Sequence, residues 1–283
     1  MQVSCSVLER VSFMVTTLIQ RAVDHLIPDV EFGAVDGFEN VPSTRQLDVG
    51  SFFTPRVSAG SGNRVLRSDD CTLMVVADGF GNEIVDEIAV STVMELLCPL
   101  LLATNSQHPT AKELRTAINE ALSEANAEIV RQVREYAGKS TGCSIVVTVH
   151  VANYVMVKAV GDCRAYLLRN GHLTQLTQDQ TLTHLLTSSG QLSPLMQSNR
   201  RNVLLNCLGS HDFQPNDEFT KLELSNHDRL LLTDRGLTSV LTHSDIRTQL
   251  GSSATAADAA ETLGCAAVDR GETRVACLTM FAT

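Results

Sequence analysis

No two of the eight cysteines (Cys5, Cys71, Cys98, Cys143, Cys163, Cys207, Cys265 and Cys277) form a C-x-x-C pair, and no Cys/His cluster has zinc-ligand spacing. Most sit in apolar runs such as Thr141 to Val149, so buried free thiols in a reducing compartment fit better than disulfides. Long hydrophobic runs are missing too. The longest uncharged stretch near the start, Val11 to Gln20, is too short to span a bilayer. It follows Glu9 and Arg10 and precedes no small-residue cleavage site, so neither a membrane segment nor a signal peptide is expected, and a cytoplasmic location is. Positive charge is scarce: 22 Lys and Arg against 32 Asp and Glu leave a net charge of −10. That argues against a uniformly basic nucleic-acid surface and against anionic membranes. The excess acid serves either solubility or the gathering of carboxylates around metal. With 43% hydrophobic and 19% charged residues, 17 Gly and 7 Pro, the chain is neither disordered, collagenous nor a coiled coil. Its 283 residues allow one large domain or two small ones. No internal repeat is present.

Residues 4 to 27 place Val7, Val11, Phe13, Met14, Leu18, Val23 and Leu26 near helical spacing, and Pro28 ends the pattern. This amphipathic helix either packs on its own domain or docks a partner. Residues 28 to 63 read as a linker plus one strand, near Leu47 to Phe53, and the domain boundary is placed between residues 45 and 46. Beyond it, strands are expected at Cys71 to Ala77, Ser144 to Val151, Tyr154 to Val160, Arg164 to Arg169, Phe219 to Leu224, Arg229 to Thr233 and Arg274 to Phe281. Asn170-Gly171 is a hairpin signal. Helices are expected over Glu83 to Leu102 and Thr110 to Tyr136, the latter opened by a Thr110/Glu113 capping box. Others are expected near Thr181 to Ser188, Asn202 to Leu208, Ser244 to Leu250 and Thr255 to Val268. The order predicts an α+β fold: antiparallel sheets with helices packed outside them.

Four apolar strands end at, or run beside, an acid: Asp78 after VVA, Asp162 in VGDCRA, Asp234 after LLLT, and Glu272 before the last strand. One acid beside a strand end is an ordinary turn residue. Four in one sandwich can converge on a rim, where hard ions such as Mg²⁺ or Mn²⁺ find oxygen ligands.

The run VVADGFGNEIVDEIA resembles the V-A-D-G-x-G-G segment of the metal-dependent protein serine/threonine phosphatases of the 2C type. STGCSIVV is similar to their G-T-T strand, and AVGDCRAYLLRNGHLTQLTQDQTL to their V-G-D-S-R-A-Y-L segment. NVLLNCLGS and HDRLLLTDRGLTSVL follow two further motifs, in order, from about Val49 to Ala282. The resemblance implies a four-layer α-β-β-α sandwich with two divalent ions in a cleft at one end. There a metal-bridging water would attack phosphoserine or phosphothreonine. It implies Asp78 as the bridging carboxylate, Gly79 as a carbonyl ligand and Asp162 as the acid of a third site. In Arg64-Val65-Leu66-Arg67-Ser68-Asp69, Arg64 would clamp phosphate and Asp69 would be an acid. A one-residue slip makes Asp69 and Asp70 the acidic pair.

The departures are as specific as the matches. Arg235 stands where the family has a metal-binding Asp, with Asp234 in the place of its usual Ser. Glu272 stands for the last metal Asp, Thr273 for Asn, and Gln180 for His. A unit charge ~4 Å from a divalent ion contributes roughly 8 kcal/mol at an effective dielectric of ~20, an upper figure before screening. The expected protein is therefore a pseudophosphatase that binds or regulates, with weak or absent Mg²⁺ or Mn²⁺ binding. Its partner would be a phosphoprotein or regulatory protein, reached through the N-terminal helix. The alternative is an active phosphatase with a rearranged site, in which Asp234 turns inward as the ligand and Arg235 outward.

Overall fold

Alternation along the strands decides the layering. In the computed structural model, which describes residues 47–54, 61–67, 71–81, 83–97, 109–134, 141–190 and 203–283, the strand β3 (Cys71–Phe80) is buried along most of its length. Its Leu73, Val75 and Ala77 join one apolar cluster, while Met74 and Val76 join another. Such a strand is covered on both faces, so its sequence reads as a continuous apolar run.

The other strands are β1 (Leu47–Phe53), β2 (Ser61–Arg67), β4 (Gly142–Val151), β5 (Tyr154–Val160), β6 (Arg164–Arg169), β7 (His172–Gln175), β8 (Thr220–Glu223), β9 (Arg229–Thr233) and β10 (Ala276–Ala282). They form two five-stranded sheets, ordered β1-β10-β9-β6-β7 and β2-β3-β4-β5-β8, with antiparallel neighbours throughout. Between the sheets lie Met74, Val76, Val146 and Val157 against Leu230, Leu232, Leu278 and Met280. Burying each such side chain contributes about 1.5–3 kcal/mol.

The outer faces carry the helices. On the β3 sheet, α1 (Glu83–Leu96) and α2 (Ala111–Val133) cover Val75, Ile145 and Val147 with Val93, Leu114, Ile118 and Leu122. The short helix α3 (Leu182–Ser188) follows β7; then come α4 (Arg235–Val240), α5 (His243–Ser252) and α6 (Ala256–Asp269). The last three cover Leu231, Cys277 and Phe281 with Leu237, Ile246, Leu250 and Leu263. This is the four-layer α-β-β-α arrangement expected. The Thr110/Glu113 capping box opens α2, and Asn170 and Gly171, both at positive φ (51° and 75°), turn β6 into β7.

Some elements differ from the sequence reading. Asn202 to Leu208 is not helical where it is described: Leu204 bridges Thr181 and Leu208 bridges Cys143 as isolated antiparallel pairs. β2 and α4 were not expected. The N-terminal helix lies outside the described residues, as do Asp69 and Asp70. Cys71, Cys143, Cys163, Cys207, Cys265 and Cys277 are free thiols, and burial pushes the Cys143 and Cys163 thiols well above their ordinary range. Among the described residues, no helix is long and apolar enough to cross a membrane.

Candidate metal centre

Several strand ends gather at one rim of the sandwich. Asp78, near the end of β3, pairs with Ser144 near the start of β4. β5 passes to β6 through Gly161 and Asp162, and Asp234 follows β9 where β10 begins. Asp78 extends the row of Met74 and Val76, so it stands at the end of the layer between the sheets.

Asp162 is held against the β4 end. The Ser144 hydroxyl donates to Asp162 Oδ1 at 3.0 Å, and burial raises the Asp162 carboxyl while that hydrogen bond and Arg235 oppose the rise. Gly161 makes this approach possible. Its φ is +89°, and a Cβ there would lie 2.3 Å from Ser144 Oγ. Gln180, which stands for the family's His, accepts from the Gly161 amide at 3.1 Å and so fastens the same turn.

Asp78 and Gly79 are engaged by a side chain that the sequence did not single out. Arg274 Nη2 donates to Asp78 Oδ1 at 3.1 Å and to the Gly79 carbonyl at 3.0 Å. Arg274 Nη1 donates to Asp86 Oδ2 at 3.1 Å. Asp86 comes from α1, which packs so closely that a Cβ on Gly79 would fall 2.8 Å from the Asp86 carbonyl oxygen. The guanidinium therefore spans the Asp78 carboxylate, the Gly79 carbonyl beside it and a nearly buried helix acid.

The remaining residues singled out in the sequence are placed as follows. Arg235 keeps its side chain half exposed at the rim, with Nε 3.8 Å from Asp162 Oδ2. Asp234 does turn inward, but onto backbone amides: Oδ1 accepts from Leu237 N at 3.2 Å, capping α4, and Oδ2 accepts from Ala276 N at 2.7 Å. Glu272 accepts from the Thr273 and Arg274 amides at 2.9 and 3.2 Å and from the Ser239 hydroxyl at 3.2 Å. Arg64 is not brought to the rim. It pairs with Val75, three residues back along β3 from Asp78, and donates to the Met94 carbonyl of α1 at 2.9 Å. In place of a phosphate clamp, the structure shows an arginine capping a helix end.

Sequence reasoning missed Arg274, Asp86 and Ser144. For Arg274 a signal was available: a cation two residues before an apolar strand, directly after the Glu272-Thr273 departure. Asp86 lies eight residues after Asp78, in a stretch where nothing in the sequence marks it as buried.

The donor chemistry, carboxylates and a carbonyl, suits a hard divalent ion. The charge placement does not suit a pair of them, because two guanidinia stand among those oxygens. Among the described residues, no group of three or more His, Cys, Asp or Glu side chains is arranged to hold a metal. As they are placed, the described residues do not fit the two-ion site.

The family model described as Protein phosphatase 2C matches residues 66–186. The serine/threonine phosphatase stp of Listeria monocytogenes is 31% identical over 196 residues, covering 68% of this chain and 77% of that protein. The protein phosphatase PhpP of Streptococcus pneumoniae is 30% identical over 195 residues, covering 68% and 78% respectively. Among solved structures, the catalytic domain of the serine/threonine protein phosphatase PstP, in complex with two manganese ions, superposes with a TM-score of 0.70. It is 25% identical and covers 84% of this chain and 98% of that one.

Proposed function

The chain belongs to the protein phosphatase 2C family, and from that membership we propose that it is a catalytically impaired member, a pseudophosphatase acting as a binding or regulatory module. Phosphatases of this family use Mg²⁺ or Mn²⁺. The observation that carries the proposal is Arg235: at the motif position of a metal-binding Asp stands a permanent cation, 3.8 Å from Asp162. A guanidinium keeps its proton at any working pH and offers donors only, so it removes an oxygen ligand and adds repulsion toward a divalent ion.

A second reading, an active phosphatase with a rearranged site, draws on two facts. Asp78, Gly79 and Asp162 sit at one rim, and the half-exposed Arg235 holds Asp162 only at long range. Hydrolysis of a phosphoserine peptide and an aryl phosphate across a Mn²⁺ series separates the two. Impairment predicts no Mn²⁺-dependent turnover above an Asp78→Asn control. Turnover on the order of 1 s⁻¹ or faster, abolished by Asp78→Asn, supports the second reading.

The partner of such a module is a phosphoprotein or regulatory protein in the cytoplasm, met through the N-terminal helix expected over residues 4 to 27, with no role for nucleic acid or membrane. Support comes from the apolar stripe of Phe13, Leu18 and Val23 in the sequence and from the net negative charge. Deleting residues 1–27 should abolish complex formation and leave the melting transition nearly unchanged. A large fall in melting temperature would show instead that this segment packs on its own domain.

A further inference from the structure

We propose that Arg274 is the resident cation of this rim: its guanidinium takes the place of a divalent ion, and a metal enters only by displacing it. Three oxygens from three groups converge on one planar fork, Asp78 Oδ1 at 3.1 Å, the Gly79 carbonyl at 3.0 Å and Asp86 Oδ2 at 3.1 Å. The Asp86 side chain is only 6% exposed and that of Asp78 16%. Two carboxylates so little hydrated need a counter-charge, because each destabilises the other and neither is well solvated. Arg274 supplies that charge from within the chain, and its fork suits several oxygens at once.

The backbone around it is fixed. A Cβ on Gly236 would lie 1.8 Å from the Arg274 carbonyl oxygen, and Asp234 holds the Ala276 amide two residues on. The side chain is 36% exposed, so it borders solvent. Carboxylate and carbonyl oxygens line this cradle, a donor set that suits a cation rather than a phosphate group. This inference goes beyond the proposed function: it concerns which cation holds the rim carboxylates together, whether or not turnover follows.

The test compares the wild-type chain with Arg274→Met and Arg274→Lys by Mn²⁺ calorimetry and by thermal melting in chelator and in Mn²⁺. In chelator, Arg274→Met should melt below wild type. In Mn²⁺ its melting should recover, and its affinity should exceed wild type by roughly 10-fold or more, with Arg274→Lys between them. Equal Mn²⁺ affinity in wild type and Arg274→Met overturns the proposal. Should Arg274→Met fail to fold, Mg²⁺ titration of wild type followed at the Arg274 Nε–H resonance still decides. The resonance must shift as metal saturates, and one that stays fixed at saturation overturns the proposal. Neither readout depends on phosphatase activity, so impairment and displacement stand or fall separately.

Discussion

Lys158 carries an ammonium group into the interior of the β3 sheet. It is 1% exposed, and its Nζ donates to the Asn216 carbonyl at 2.5 Å, to Asn216 Oδ1, and to the Glu218 carbonyl at 3.3 Å. The Phe219 ring centroid lies 4.6 Å away, and Arg115 approaches the same ring at 5.2 Å. Burial pulls the Lys158 pKa down from 10.5 to about 8, with Glu218 and Asp217 opposing the fall. Between those two values the unfolded chain binds more protons at this site than the folded chain does, so the Lys158 contribution to stability rises with pH. The thiols of Cys143 and Cys163, raised by burial, act in the opposite direction, so the Lys158 effect must be read as a difference. Denaturation of wild type and Lys158→Met should show wild type gaining ~1–2 kcal/mol on the variant between about pH 7.5 and about pH 9.5. No gain would mean that Lys158 titrates as an exposed lysine. At this scale the sequence was uneven. Arg235 was legible because it breaks a motif at a ligand position. Arg274 was harder to read, because a cation two residues before a strand marks itself as unusual without showing which oxygens its side chain reaches. Arg64 sat at the right spacing, yet it lies three pairs along β2 from the one that joins Ser61 to Asp78 and is used to hold a helix end.

Elements with strong periodicity were read well, and those shaped by position were not. β2, SGNRVLR, has no apolar run, because among the described strands it lies at a sheet edge and pairs with β3 alone. In Asn202 to Leu208 the apolar residues mimic helical spacing. Val203 and Leu205 nevertheless stay about half exposed (51% and 53%), while Leu204 and Leu208 make strand-like bridges. Alternation of this kind is the mark of extended chain. The helix α4 is only six residues long, too short to show a period. Close packing between α6 and β1 gives a sharper test at this scale. A Cβ on Gly50 would fall 2.3 Å from the Ala256 carbonyl carbon, a backbone atom that cannot step aside without moving the start of α6. Gly50→Ala should therefore cost more than ~2 kcal/mol by urea denaturation. Gly251→Ala is the control: its Cβ meets only Leu168 Cδ2, at an ordinary 3.5 Å. That variant should be neutral or gain up to ~1 kcal/mol, through reduced freedom of the unfolded chain. Equal effects at the two positions would show that α6 does not press on β1 as described.

At the scale of the whole molecule, the fold was readable because several motifs follow one another in one order, and those around Asp78, Asp162 and Asp234 fall at strand ends. The sandwich then brings Asp78, Asp162 and Asp234 to the same rim, as expected of strand-end acids. What the rim does with them was not readable, since Asp234 is spent on amides and Arg274 crosses from the β10 side to Asp78 and Asp86. The fold is that of the family, and at the rim Arg274 contacts Asp78, Gly79 and Asp86 while Arg235 stands near Asp162. Equilibrium dialysis of the full wild-type chain against Mn²⁺, with metal and protein assayed together, tests this most directly. The account predicts well under two ions per chain at about 0.1 mM free Mn²⁺, because Arg274 and Arg235 oppose them. About two tightly held Mn²⁺ per chain at that concentration would contradict it.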